Sequence, residues 1–553
     1  MADKMMVADV VAEFLQRCEV DTAFGVTSVH NIPMLDAIGR RNAIRFVMGR
    51  GEAGAGSMAD AYARTRGQLG VLFTSTGPGA ANACGALVEA RFAGSPVLHI
   101  TGQTVTAHLD KGRGTVHDVP DQLGMLRSVS KAAYRIESAE GALGILLRAA
   151  TEALTPPAGP VSVEIPIDIQ RRMIDRPELL DALRVAPPPP LPADPGAVEL
   201  LAAMVVKAKR PMLWCGNGAR HAGKAVARLA DMGVAIVTSA AGRGVLPEDH
   251  PMTLGAFNAT PEVEAFYATV DLMIVAGSRL RGHETREFDL KLPERRAQID
   301  VDPAALGRTY GSDLFVQGDS ASVLDELADR LEGRLQVEAG YREEIARLGR
   351  ETRAAFRETL GPYKTFPEQF REAMPRDALW VRDVTLSNTT WGNRLFPVYG
   401  PRDSVYPVGA GIGLAVGLAV GAAAANPGRK TVCLTGDGGF FLNIAELYAA
   451  VQEKLDIAFV VMNDGGYGVI KHIQDTFHEG RHYNADLQNP DLEGLAKLSG
   501  MHFGRISRAD QVKDVISAAV AAEGPALVEV DMHAIGPFPR YFVPPASLTK
   551  ANS

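Results

Sequence analysis

The chain has 553 residues, 46% of them hydrophobic and 22% charged, with 65 acidic side chains against 57 basic ones for a net charge of −8. At about 150 residues per domain this length predicts three or four domains, and the composition excludes long disorder, collagen-like repeats and coiled coils. The acidic balance provides no basic face for nucleic acid.

From the amino end, Val7, Val10, Val11, Phe14 and Leu15 recur at helical spacing around Asp9 and Glu13. A secretion signal would need a basic start and an unbroken apolar run, so no export signal is expected. Short apolar runs bounded by glycine and proline then alternate with longer helical patterns, at 71–75, 97–101, 161–165, 212–215, 235–238, 272–276, 297–301, 379–384, 431–435, 458–462 and 526–530. Strands alternating with helices predict parallel sheets with crossover helices. Two breaks divide the series: a proline-rich linker at 186–195 and a charged helix at 341–360. The expectation is an α/β protein of three doubly wound parallel-sheet domains, at 1–185, 190–335 and 360–553.

The strand-like segments from Gly159 and from Gly524 echo each other, Gly-Pro-Val-Ser-Val-Glu against Gly-Pro-Ala-Leu-Val-Glu, so the first and third domains are expected to be related units. The uncharged stretch 408–425, with Gly413, Gly417 and Gly421 spaced four apart, is read as a buried, close-packed helix. Its glycines and alanines make it too weakly apolar for a membrane span. Cysteines at 18, 84, 215 and 433 match no metal or paired-thiol spacing, which points to reduced, buried thiols and a cytoplasmic location.

Two constellations carry chemistry. Gly436-Asp437-Gly438-Gly439 follows one predicted strand, and Asn463-Asp464-Gly465-Gly466 follows the next. Glycines at the carboxyl end of a parallel strand let backbone amides approach an anion. Asp437 and Asp464 would then stand at neighbouring strand ends and share a hard cation such as magnesium, with a diphosphate as its further ligand. A plain tight turn is the competing reading of the first motif. The second constellation is Glu52, set among small residues from Gly51 to Ser57 at a helix start, where its proton affinity is open to tuning. An ordinary first-turn glutamate is the alternative.

Together these motifs resemble the thiamine diphosphate enzymes of the acetolactate synthase, benzoylformate decarboxylase and benzaldehyde lyase superfamily, over nearly the whole chain. The resemblance rests on Phe24-Gly25-Val26 with Pro33 and Asp36, on Glu52 ahead of Ala59 to Arg64, and on Thr76-Gly77-Pro78-Gly79 with Asn82. It continues through Gly244 to Pro247 with His250-Pro251, Ile299 to Pro303, and the metal motif from Gly436 to Asp464. It implies a pyrimidine-binding, a central Rossmann-like and a diphosphate-binding domain, with each active site built between two subunits of a homodimer or homotetramer. It further implies that Glu52 hydrogen-bonds the cofactor's pyrimidine and favours its imino tautomer. Asp437, Asp464 and the Gly466 carbonyl would hold Mg2+ on the diphosphate, beside Gly436, Gly438 and Gly439, although many relatives carry asparagine where this chain has Asp464. Ile412 falls where relatives place an apolar wedge that bends the cofactor, and 383–388 corresponds to a diphosphate-contacting loop. In the central domain, Gly216-Asn217-Gly218 is a lone GxG pair, weak as a dinucleotide fingerprint. The segment from Arg279 to His283 lies near where flavin-binding relatives contact FAD, with a solvated loop as its alternative; FAD is left open and not assigned.

For the substrate, Val29, His30 and Asn31 occupy a loop that contributes polar groups in the family, and His30 matches a benzaldehyde-lyase-type histidine. His117 aligns near the reaction centre, and Val469, Ile470 and Ile473 are expected to line the pocket, with helical core packing as their alternative. The chain lacks the Gly-Tyr-Pro-Gly-Gly loop, the Phe-Gln-Glu segment and the tryptophan after the metal loop of acetolactate synthases. Ring nitrogens that exchange protons suit release of an aldehyde. The expected activity is therefore lyase-type decarboxylation of a 2-oxo acid larger than pyruvate, with carboligase capacity. Acetolactate synthase-like transfer or 2-hydroxy-ketone cleavage is the runner-up, and a non-catalytic thiamine-fold subunit is disfavoured by Glu52 and Asp437. Neither a nucleic-acid nor a membrane partner is expected.

Overall fold

The computed structural model describes residues 4–539; residues 1–3 and 540–553, which the expected first and third domains include, lie outside the described residues. Three all-parallel sheets follow one another along the chain. The first contains β2 (Thr22–Gly25), β3 (Arg45–Met48), β4 (Gly70–Thr74), β5 (Val97–Gln103), β6 (Ala132–Arg135) and β7 (Val161–Pro166). Before and after it, β1 (Lys4–Met6) and β8 (Met173–Asp175) form a small antiparallel pair. The central sheet holds β9 (Pro211–Cys215), β10 (Ala235–Thr238), β11 (Leu272–Ala276), β12 (Arg296–Asp300) and β13 (Leu314–Gln317). The third holds β14 (Leu379–Arg382), β15 (Ser404–Val405), β16 (Thr431–Gly436), β17 (Ile457–Asn463), β18 (His502–Ile506) and β19 (Ala526–Asp531).

The strand orders are β3-β2-β4-β5-β7-β6 and β15-β14-β16-β17-β19-β18 for the outer sheets, the same permutation in both. That shared order accounts for the echo between the segments ending in β7 and β19. The central order is β10-β9-β11-β12-β13. In each sheet the order reverses beside the first strand, and that topological switch point opens a crevice at the carboxyl ends of the strands.

The amino-terminal helical pattern is realised as the helix Val7–Arg17. The linker 186–193 has no regular structure, and Asp194 caps the next helix at Pro195. Between the central and third sheets runs the charged helix Tyr341–Glu358. Among the described residues, no helix is long and apolar enough to cross a membrane.

The stretch 408–425 is not one helix. It is helical only at Ala415–Ala425, and Ala410 and Gly413 adopt positive φ angles of 62° and 87°. Two buried carboxylates hold backbone amides of the non-helical part. Glu89 accepts from Val408 (2.5 Å) and Gly409 (2.8 Å), and Asp383 accepts from Gly413 (3.0 Å). The helical part is buried all round and packs against the helix Glu52–Arg66 of the first domain. A Cβ at Gly421 would lie 2.1 Å from the Met58 carbonyl oxygen, so the two backbones approach only because that side chain is missing. This contact merges the faces of the outer sheets into one apolar core.

Two smaller expectations shift. Between the two acidic turns, where residues 443–452 carry a helical pattern, helix begins earlier, at Asp437–Leu442, and breaks at Asn443, whose side chain donates to the Gly413 carbonyl (2.7 Å). Of the four free thiols, Cys215 and Cys433 are buried, whereas Cys18 and Cys84 are half-buried.

Candidate active site

A cavity of about 380 Å3 opens at the switch point of the third sheet. Its walls are the ends of four parallel strands: 384–387 after β14, Gly436 to Gly439 after β16, Asp464 to Ile470 after β17, and Met532 after β19, closed by Ala410, Ile412 and Leu442. Register brings the two acidic turns together, since Gly436 pairs with Met462 across β16 and β17.

Asp437 is buried at the start of the helix Asp437–Leu442. Its Oδ2 accepts from the Gly466 amide (2.9 Å) and from Asn489 Nδ2 (2.6 Å), while its Oδ1 is buried with no hydrogen-bond partner. Burial first, and then the facing Asp437 carboxylate, push Asp464 up to about 7. An orphaned buried oxygen beside a second, destabilised carboxylate is a donor set that a divalent cation satisfies. Three or more metal-ligating His, Cys, Asp or Glu side chains do not gather anywhere among the described residues. A cation here would therefore draw its other oxygens from backbone and from an anionic ligand. The amide-rich turn, the glycines and the helix start suit a diphosphate. Ile412, 43% exposed, stands on the loop 408–414 at the cavity mouth. Val469 and Ile470 line the cavity; Ile473, one turn further along the helix Gly468–Phe477, is half-buried and not part of the wall. Asp383, just outside the wall, is held by the amides of Gly413 and Val384, and burial raises it to about 6.

The first-domain residues gather elsewhere, at the switch point of their own sheet. His30 follows β2, and its ring centroid lies 5.2 Å from that of His117. The His117 Nδ1 is 3.3 Å from Ser75 Oγ, which in turn is 2.6 Å from Ser28 Oγ. The His30 Nδ1 is buried without a partner, and burial together with neighbouring His117 lowers the His30 pKa. Val29 is 61% exposed beside it. Asn31, expected among the substrate contacts, is instead fully buried: its side chain accepts from the Ser28 amide (2.8 Å) and donates to the Val26 and Thr74 carbonyls (2.9 and 3.2 Å). That amide shapes the loop rather than facing a ligand. Glu52 opens the helix Glu52–Arg66, half-buried, and accepts from Asn82 Nδ2 (3.2 Å).

Within one chain, none of Glu52, His30 and His117 lines the cavity of the third domain. In the central domain, the Gly218 amide donates to the Gly277 carbonyl (2.9 Å), and Arg281 pairs with Glu284 (3.2 Å) and donates to the Val408 carbonyl. Asn489, Ser28 and Ser75 join these sites without having been singled out in the sequence. Only a spaced motif marks a residue there, and these belong to none.

An α/β scaffold with a carboxylate pair and glycine turns at one switch point, and an acid with paired histidines at another, defines an enzyme architecture for a phosphorylated organic cofactor. Comparison with known proteins agrees. The chain matches three family models: thiamine pyrophosphate enzyme, N-terminal TPP binding domain, over residues 5–125; the central domain, over 198–327; and the C-terminal TPP binding domain, over 386–530. A "Probable 2-ketoarginine decarboxylase" of Pseudomonas aeruginosa is 30% identical over 92% of this chain and 91% of its own. The large subunit of acetolactate synthase isozyme 1 of Escherichia coli is 26% identical over 95% and 94%, respectively. A "Probable acetolactate synthase large subunit" of Methanocaldococcus jannaschii is 27% identical over 95% and 91%. The chain belongs to the thiamine diphosphate enzyme family.

Proposed function

We propose that this enzyme is a Mg2+-dependent decarboxylase of a 2-oxo acid larger than pyruvate, with carboligase capacity, and that it works in the cytoplasm as a homodimer or homotetramer. When bound, thiamine diphosphate supplies a nucleophilic carbon for the substrate carbonyl and holds the electron pair released as the carboxylate departs. The protein's part is to orient and to move protons. Asp437, Asp464 and the Gly466 carbonyl hold magnesium and through it the diphosphate, with Gly436, Gly438 and Gly439 leaving room for the phosphates. Ile412 shapes the cofactor between its two ends, and Glu52 holds the pyrimidine. Val29, Val469 and Ile470 shape the substrate side.

The observation that carries the decarboxylase reading is the His30–His117 pair, because loss of CO2 from a 2-oxo acid must be followed by delivery of a proton to make an aldehyde. Burial and then neighbouring His117 lower the His30 pKa, and the two adjacent rings offer nitrogens that can exchange the proton this step needs. The similarity to a protein named as a 2-ketoarginine decarboxylase supports an elongated 2-oxo acid.

The two-subunit reading is supported by where the half-sites lie and by what flanks them. Exposed Val29 and Val116 border the first, and exposed Ile412, Leu442 and Ile470 border the second. Apolar groups of this size left open around both halves fit a surface that a second copy covers.

A panel of 2-oxo acids and 2-hydroxy ketones, incubated with enzyme, thiamine diphosphate and magnesium, tests the reaction by mass spectrometry of products. Aldehyde and CO2 from a long-chain 2-oxo acid are expected, and His30→Phe is expected to slow their release by about a hundredfold or more. Glu52→Gln should retain the fold and lose most turnover. The acetolactate synthase similarity favours a second reading, and acetolactate as the dominant product from pyruvate would replace the first with it.

A further inference from the structure

A second cavity, of about 250 Å3, lies where the central domain, the connecting helix and the third domain meet, and it shares no residue with the first. Four guanidinium groups line it, those of Arg353, Arg357, Arg371 and Arg394. Three carboxylates line it too, but each is already engaged. Glu248 pairs with buried Arg243 (2.7 Å) and accepts from the Val398 amide (2.9 Å). Glu368 pairs with Arg357 at 2.6 Å, and Glu372 with Lys513 at 2.9 Å.

Arg353 and Arg371 are left with backbone carbonyls and aromatic faces, Arg353 over Phe257 (5.9 Å) and Arg371 over Phe396 (5.1 Å) and Tyr399 (5.4 Å). Arg353 donates to Thr253 (3.0 Å), and Arg371 to Met374 (2.9 Å) and Pro375; neither holds a carboxylate at ion-pair distance among the described residues. The Nε of Arg357 is buried with no hydrogen-bond partner. Burial lowers the pKa of both Arg353 and Arg371; Glu248 opposes this at Arg353 and Tyr399 at Arg371, while Arg243 and Arg376 add to it. Even so, a guanidinium keeps its charge. Positive charge gathered in a partly dry cavity is costly unless an anion enters, and the planar guanidinium fork matches carboxylate and phosphate oxygens.

We propose that this cavity is a binding site for a small oxyanion, a carboxylate or phosphate gripped by Arg353 and Arg371. The site spans three elements. Arg353 belongs to the helix Tyr341–Glu358, Arg371 to the helix Phe366–Ala373, and Arg394 to the chain that continues from 384–387 in the wall of the cofactor cavity. An anion held there ties the connecting helix to the third domain.

The test is calorimetric titration of the holoenzyme, saturated with thiamine diphosphate and magnesium, with inorganic phosphate in one arm and succinate in the other, against chloride at equal ionic strength. Saturable binding of at least one of the two, with a raised melting temperature, is expected; which arm binds decides between phosphate and carboxylate. Arg353→Met and Arg371→Met, which keep most of the side-chain bulk, should each weaken it about tenfold or more while leaving thiamine diphosphate affinity unchanged. Binding of neither anion, or equal binding by wild type and both variants, would overturn the proposal. Should either variant fail to fold, a selenate soak of wild-type crystals decides by anomalous density: a peak between Arg353 and Arg371 supports the site, and its absence removes it.

Discussion

The carboxylate of Glu446 accepts hydrogen bonds from the backbone amide of Gly51 at 3.0 Å and from that of Arg50 at 3.1 and 3.2 Å. Glu446 is 1% exposed, follows the helix that begins with Asp437, and caps the turn leading into Glu52. One buried side chain thus joins the segment carrying Asp437 to the residue next to Glu52, 395 positions away.

Removing that acceptor leaves two amides unsatisfied at the start of the helix Glu52–Arg66. Glu446→Ala is expected to destabilise the protein by about 1–3 kcal/mol in urea titrations, and Glu446→Gln, which keeps a carbonyl acceptor, by less. Gly54→Ala should act like Glu446→Ala, because a Cβ there would stand 2.1 Å from Glu446 Oε1. In all three variants turnover should fall in step with the loss of stability.

Asp437 and Asp464 face each other in a buried cavity, so an anionic ligand needs a cation between them. Asp437→Ala, or exhaustive dialysis against EDTA, is expected to weaken thiamine diphosphate binding by about a hundredfold or more. Unchanged affinity by calorimetry in EDTA would contradict the magnesium assignment.

His99 is fully buried between Thr74 Oγ1 and Ser162 Oγ, both at 2.9 Å, and burial lowers its pKa to about 3. An unfolded histidine takes up a proton near pH 6.5, whereas the native one stays neutral down to about 3. Its contribution to stability is therefore complete above about pH 6.5 and declines as the pH falls below that value, by at most about 1.4 kcal/mol per unit. His99→Gln should flatten this part of the acid limb in urea titrations at about pH 7, 6 and 5, whatever it costs at neutral pH.

If the first-domain and third-domain halves complete a site only between two chains, inactive variants of each half should complement. Mixing Glu52→Ala with Asp437→Ala under conditions that exchange subunits is expected to restore up to about a quarter of wild-type activity, since half the dimers are hybrids and each holds one intact site. A fully active monomer in light scattering would end this reading.

The parallel α/β architecture and the Asp437–Asp464 pair were legible in the sequence because both repeat locally. Strand, crossover helix and next strand recur at fixed spacing, and adjacent parallel strands place the turns that follow them side by side, here through the pairing of Gly436 with Met462. The break at 408–414 was hidden, since nothing near Gly409 or Gly413 announces that Glu89 and Asp383 will claim their amides. Asn31 read as a ligand contact for the same reason: whether a polar side chain meets solvent or its own loop depends on what packs over it. The Glu446 cap, the Asn489 contact to Asp437 and the cavity that Arg353 and Arg371 share with Glu248 likewise join segments far apart in the chain. Periodicity specifies which face of an element is apolar; which distant carboxylate or amide that face will meet was decided only when the three sheets packed.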